Sequence, residues 1–324
     1  MWRWYKRLRN RYFTVFLILR LILPVFITVI LILLLISLGI AIDIIHPSKT
    51  LEVIDPSAYH LYASEFTWDG ANDAVLQGWY IRGSNQAPLI VLLHGYDTNR
   101  TEVLSLASRL QDYGYNILLY NQRGHGNSAQ GSCSLGILEA EDLKQAIEKL
   151  VTRPEIDFKR IGIFGSSLGG YAALKASKGN PHITALVLDS VYPSINSFIE
   201  LEVQRVVGFK TSVLSTLSQW MFQLYFRVPG SQIHDEFKTN DFTDKTILFI
   251  TGKDRNSSDL AKGTRRLYTL LDCRKEILNL ANSRESLLFG EEKHRYDQFV
   301  LDFLKNELPL IEDTVKIDLE PTAQ

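Results

Sequence analysis

The chain has 324 residues, 46% of them hydrophobic and 22% charged, with 20 Gly, 10 Pro and 2 Cys. That apolar fraction excludes a disordered chain, the glycine and proline content excludes a collagen-like one, and two cysteines cannot build a disulfide-dense scaffold or a four-thiolate zinc site. A near balance of 35 basic against 36 acidic residues, net −1, argues against a nucleic-acid partner.

The charge is unevenly spread. Residues 1–20 carry Arg3, Lys6, Arg7, Arg9, Arg11 and Arg20 and no acid, so +6 sits there and the remaining 29 basic against 36 acidic residues give −7. Leu21 to Ile42 then runs for 22 residues without a charge. At about 1.5 Å per residue this is ~33 Å of helix, enough to cross a hydrocarbon core of roughly 30 Å. Pro24 is expected in the first turn of that helix, where a missing N–H is tolerated. Trp2, Trp4, Tyr5 and Tyr12 interleave with the basic residues as in an interfacial belt. A cleaved signal peptide is the competing reading, since Gly39-Ile40-Ala41 loosely resembles a cleavage site, but the apolar run exceeds the usual ~7–15 residues. The expectation is a single-pass anchor over 21–42, with residues 1–20 cytoplasmic and everything after Ile42 on the opposite, extracytoplasmic side.

Residues 43–59 read as a linker with two prolines. Strands are then expected at 76–81, 88–95, 115–121, 159–165, 183–190, 245–252 and 275–282, alternating with helices at 101–114, 138–153, 170–177 and 260–271. Strand–helix alternation of this kind predicts an α/β domain over 60–305, a mostly parallel central sheet with helices on both faces. Residues 192–242 interrupt it with helical runs and no clear strand, which predicts a lid insertion, and 306–324 form a tail. Within the lid, Trp220, Met221, Phe222, Leu224, Tyr225 and Phe226 crowd together. Two readings stay open for them: an acyl-binding or membrane-facing surface, or a cap helix packed on the domain.

Gly165-Ser166-Ser167-Leu168-Gly169 is a G-x-S-x-G with Ser167 at its centre. It follows the apolar run RIGIF and precedes a helical run, the strand–turn–helix context of a nucleophile elbow. Gly165 and Gly169 let the backbone turn tightly, and the helix N-terminus beyond offers N–H groups to a developing oxyanion. Open sheets of this class place their sites at such strand C-terminal ends.

With LLHGY at 92–96, YNQRGHGNS at 120–128, SLGILEAEDLKQAI at 134–147, GSSLGG and ITGKD at 250–254, the chain resembles the alpha/beta-hydrolase superfamily of serine hydrolases, nearest its membrane-anchored and serine-aminopeptidase-like bacterial branch. The resemblance covers about residues 60 to 305. It implies an alpha/beta-hydrolase fold, ester-type hydrolysis through an acyl-enzyme, and a triad in the order Ser, Asp, His. The matching positions are Ser167, Asp254 and His294, with Asp259 and Asp189 as rival acids. His294 is expected to open the final helix. The implied oxyanion donors are the backbone N–H groups of Leu168 and of Tyr96, which follows Gly95. Two departures stand out: Asn121, where the family commonly has Asp, and one residue fewer between Gly252 and Asp254. No metal or cofactor is expected, because no H-E-x-x-H, C-x-x-C, Walker loop or dinucleotide fingerprint occurs. The expected partners are a small-molecule or lipid ester and, through residues 21–42, a membrane. Cys133 and Cys273 read as two unpaired thiols, with a disulfide as the alternative in an oxidising compartment.

Overall fold

A computed structural model describes residues 2–48, 50, 52, 54–128, 131–234, 237–252, 258–280, 288 and 290–310. The chain forms two compact units, Met1–Asp43 with Ile199–Val228, and Ile44–Phe198 with Pro229–Gln324.

The larger unit is built on an eight-stranded sheet. Its strands are β1 (Ala63–Asp69), β2 (Val75–Ile81), β3 (Ala87–Leu93), β4 (Asn116–Tyr120), β5 (Ile156–Ser166), β6 (Ile183–Asp189), β7 (Thr246–Gly252) and β8 (Arg274–Leu280), in the order β1-β2-β4-β3-β5-β6-β7-β8. β1 and β2 pair antiparallel with each other, β2 runs antiparallel to β4, and every other pairing is parallel. Parallel strands need crossovers, and helices supply them. In this unit they include α2 (Leu104–Tyr113), α3 (Ile137–Leu150), α4 (Leu168–Ser177), α8 (Ser258–Leu270) and α9 (Gly290–Glu307).

Strand side chains alternate between the two faces, so a strand buried on both sides reads as a continuous apolar run. Every residue of β3, APLIVLL, is buried accordingly. Ile90, Leu92, Phe164, Val187, Leu248 and Ile250 share one core with Leu106 and Leu110 of α2 and Tyr296, Val300 and Leu304 of α9. The alternate residues Leu89, Val91, Leu93 and Ile163 are equally buried, and α4 packs on β3, β5 and β6 beside α3. β1 was not among the expected strands. It is an edge strand with only Phe66 and Trp68 buried, so its apolar signal is short.

The smaller unit contains most of α1 (Trp2–Ile45), a single helix of 44 residues. Pro24 therefore lies inside a helix rather than in its first turn, a correction to the expectation. Thr28 Oγ1 donates to the Pro24 carbonyl at 2.8 Å. Arg20–Ile45 is long and apolar enough to cross a membrane. Leu21, Val25, Leu31 and Leu35 are more than half exposed, unlike the side chains of a core helix. The unit also holds the end of α5 (Ile195–Val207) and all of α6 (Ser212–Phe226), before the one-turn α7 (Gly230–Ile233).

Candidate active site

β5 ends at Ser166 and α4 begins at Leu168, so one residue turns the chain from strand to helix. That residue is Ser167, with φ 45° and ψ −105°. A non-glycine residue rarely holds positive φ, and such strain persists where the surroundings fix it, most often at functional sites. Here two backbone bonds fix it: Ser167 N–H donates to the Asp189 carbonyl at 2.8 Å, and Tyr171 N–H donates to the Ser167 carbonyl at 3.0 Å. The flanking glycines are required by close approach. A Cβ on Gly165 would lie 2.5 Å from the Gly169 carbonyl carbon, and one on Gly169 would lie 2.6 Å from Leu93 Cβ. Ser167 itself is half-buried.

The turn after β3 faces this elbow. A Cβ on Gly95 would lie 3.3 Å from Ser166 Oγ. Gly95 N–H donates to Glu102 Oε2 at 2.8 Å, and the Thr98 hydroxyl donates to the same oxygen at 2.8 Å. His94 ties this turn to the 121–128 loop: its Nε2 accepts from Gln122 N–H at 3.0 Å, and Gln122 Nε2 returns a bond to the His94 carbonyl at 2.7 Å. Burial, helped by neighbouring His125, pushes the His94 pKa down to about 3. Burial alone pushes His125 down to about 4. Both rings are neutral structural groups at neutral pH. Leu168 is the first residue of α4, so its N–H belongs to the first turn, where no intrahelical acceptor exists.

Asn121 accepts from Arg100 N–H at 2.9 Å through Oδ1 and donates through Nδ2 to Glu52, which pairs with Arg100 at 3.0 Å. An aspartate at 121 would set a second carboxylate against Glu52, so the asparagine follows from its neighbour. Arg123 is clamped in two bonds by Asp142, Nε to Oδ2 at 2.7 Å and Nη2 to Oδ1 at 2.5 Å, with both side chains buried. Asp142 also accepts from Ala71 N–H at 2.8 Å. This buried pair fixes the loop that carries His125.

Asp189 ends β6 beside the elbow. Its carboxyl accepts from Tyr296 Oη at 2.8 Å and Ser190 Oγ at 2.8 Å, and burial raises its pKa to about 7. His294 lies in the second turn of α9, which starts at Gly290, so it does not open that helix. It is exposed, and its Nδ1 stands 2.9 Å from Arg109 Nη2. A guanidinium only donates, so Nδ1 accepts and the neutral ring carries its proton on Nε2. A triad needs the reverse, with Nδ1–H on a carboxylate and Nε2 open to the serine. Among the described residues no hydrogen bond links His294 to Ser167. Asp254 lies outside the described residues, just beyond the end of β7.

A cavity of about 290 Å³ adjoins the Gly95 turn, lined in part by Thr98, Asn99, Glu102, Ser105, Leu288 and Lys293. Glu102 and Arg109 were not foreseen. An acid or a base on a helix near a loop is ordinary, and only the fold brings Arg109 to a residue 185 positions later. Among the described residues no cluster of three or more His, Cys, Asp or Glu could hold a metal ion. Cys133 and Cys273 are unpaired thiols, and burial raises the pKa of each.

Comparison with known proteins agrees with this architecture. The model of the family described as serine aminopeptidase, S33, matches residues 84–255, just over half of the chain. The protein YqkD of Bacillus subtilis is 24% identical over 239 residues, covering 71% of this chain and 76% of YqkD. Among solved structures, the esterase Pf2001 of Pyrococcus furiosus superposes with a TM-score of 0.61 at 19% identity, over 82% of this chain and 98% of its own. An acylaminoacyl peptidase of Pyrococcus horikoshii superposes with a TM-score of 0.53 at 19% identity, over 76% of this chain and 42% of its own.

Proposed function

Because the chain belongs to the serine aminopeptidase S33 family and has the alpha/beta-hydrolase fold, we propose that it is a membrane-anchored serine hydrolase that cleaves carboxylic ester bonds with Ser167 as nucleophile. Family membership supports hydrolysis as the chemistry. The observation that carries the reading is the strained backbone of Ser167, held at φ 45° between a strand end and a helix N-terminus.

In this mechanism Ser167 Oγ attacks the ester carbonyl carbon while its proton passes to His294. The N–H groups of Leu168 and Tyr96 hold the oxyanion of the tetrahedral intermediate. The leaving alcohol takes the proton from His294, and water then releases the acid from the acyl-enzyme. Asp254 is the carboxylate that orients His294. His294 serves as base in the conformer where its Nδ1 leaves Arg109 for that carboxylate. The apolar helix supports an anchor that places residues 1–20 in the cytoplasm and the larger unit outside it, by the basic charge of the N-terminus.

A second reading is favoured by the His294–Arg109 bond itself: a catalytically silent hydrolase fold, tethered to a membrane, in which Ser167 has no base. Turnover of p-nitrophenyl esters by the full-length protein separates the two. The proposal expects turnover that disappears in both Ser167→Ala and His294→Ala. Turnover no higher than that of Ser167→Ala would establish the silent reading. Matched amino-acid amides, run beside the esters, decide between esterase and peptidase.

A further inference from the structure

α6 buries three polar residues and exposes four large apolar ones. Its inward face carries Ser215, Ser218 and Gln219 together with Leu214 and Phe222, all buried. Its outward face carries Val213, Trp220, Leu224 and Tyr225, which are 53%, 62%, 77% and 51% exposed. Positions 213, 220 and 224 fall on one stripe at helical spacing. From Thr211 to Phe226 no residue is charged, and Lys210 and Arg227 bracket the run. The last turn of α5 and the turn after it add Val206 and Phe209, 50% and 63% exposed. Water-soluble helices bury their apolar stripe and expose the polar one. Helices in lipid instead associate through small and hydroxyl-bearing residues.

The inward face meets α1 in that second manner. The Ser218 hydroxyl donates to the Ser37 carbonyl at 3.4 Å, and Ser37 and Ala41, one turn apart on α1, are both buried. This contact also sets a depth. Asp43 is the first charged residue after Arg20, and Ser37 lies six residues before it, about 9 Å down the helix axis. An interfacial helix typically seats its apolar face ~5–10 Å into the boundary between headgroups and acyl chains. At 15 residues α6 is about 22 Å long, too short to cross a hydrocarbon core of roughly 30 Å. Lys210 and Arg227 at its two ends can extend their charges to the headgroups while their stems stay apolar.

We propose that the outward face of α6, with the turn before it, is a second membrane contact. It seats in the leaflet that α1 leaves at Asp43, so the chain is held to the bilayer at two places. This rests on the reading of α1 as a membrane anchor.

The test uses the full-length protein in vesicles of phosphatidylcholine with a minority of phosphatidylglycerol. An environment-sensitive fluorophore is attached to Leu224→Cys, to Leu31→Cys in α1, or to Tyr62→Cys on the larger unit, each in a Cys273→Ser background with buried Cys133 left in place. Quenching by lipids bearing a nitroxide on the acyl chain is compared with quenching by aqueous iodide. The proposal expects the Leu224 probe to be quenched by nitroxide lipid to within a factor of about two of the Leu31 probe, while the Tyr62 probe responds to iodide alone. If Leu31 responds to lipid but Leu224 responds to iodide, the second contact is wrong and the anchor stands. A Leu224 probe shielded from both quenchers, with Leu31 lipid-accessible, means that protein covers the face, and this also overturns the proposal. If Leu31 itself escapes the lipid quencher, the anchor reading fails and the inference falls with it.

Discussion

Helices α2 and α6 are both two-faced, but they place their polar and apolar residues differently. α2 buries Leu104, Leu106, Ala107 and Leu110 and leaves Asp112 exposed. α6 buries Ser215, Ser218 and Gln219 beside Leu214 and Phe222, and leaves Trp220 and Leu224 exposed. The hydrophobic effect accounts for the first arrangement directly, since apolar area leaves water. It accounts for the second only if the outer face meets something other than water. Buried polarity makes the same distinction. The larger unit buries charge as a closed pair, Arg123 on Asp142, whereas the polar residues on the inward face of α6 are uncharged.

The largest expected effect breaks that closed pair. Arg123→Ala leaves the Asp142 carboxylate buried without its partner, and it should cost about 3–5 kcal/mol in urea unfolding of the detergent-solubilised protein. A loss within the range of an ordinary surface substitution would mean that the pair contributes nothing to the loop.

A matched truncation then sharpens the comparison of the two helices. Leu110→Ala removes a fully buried side chain from α2 and should cost about 2–5 kcal/mol. Leu224→Ala removes an outward-facing one from α6 and should shift unfolding in detergent by less than about 0.5 kcal/mol. Equal costs would show that α6 buries its apolar face after all.

A pH slope is also expected, and it falls on the larger unit because α6 carries no group that ionises between pH 4 and 8. His94 and His125 have folded-state pKa values depressed to about 3 and about 4 from 6.5. As pH falls below 6.5 the unfolded chain therefore binds two protons first, and stability is lost. Asp189 acts oppositely, because its pKa is raised from 3.8 to about 7 and the folded state binds its proton first. For these three groups the net is one proton, so together they should lower stability by about 1.4 kcal/mol per pH unit between about pH 5.5 and 4.5. Asp189→Asn removes its offset and should steepen the slope by about 1.4 kcal/mol per pH unit. A slope left unchanged by the substitution would show that Asp189 is ionised in the folded protein.

Much of this was legible in the sequence, and the reasons are local. The elbow could be read because Gly165 and Gly169 flank a serine between an apolar run and a helical one. The parallel strands could be read because burial on both faces leaves unbroken apolar runs such as APLIVLL. β1 escaped because an edge strand with two buried residues carries little pattern. Pro24 was misplaced because a charged segment looked like a helix boundary, yet the helix continues through it from Trp2. The least legible features are pairings between distant elements. Nothing near His294 announces Arg109, and nothing near Asn121 announces Glu52, since both contacts join segments far apart in the chain.

The most direct measurement is fluorophosphonate labelling of the purified full-length protein, with the modified peptide identified by mass spectrometry. The account predicts a single adduct on Ser167 that is absent from Ser167→Ala. An unlabelled protein, or labelling that persists in Ser167→Ala, would contradict it.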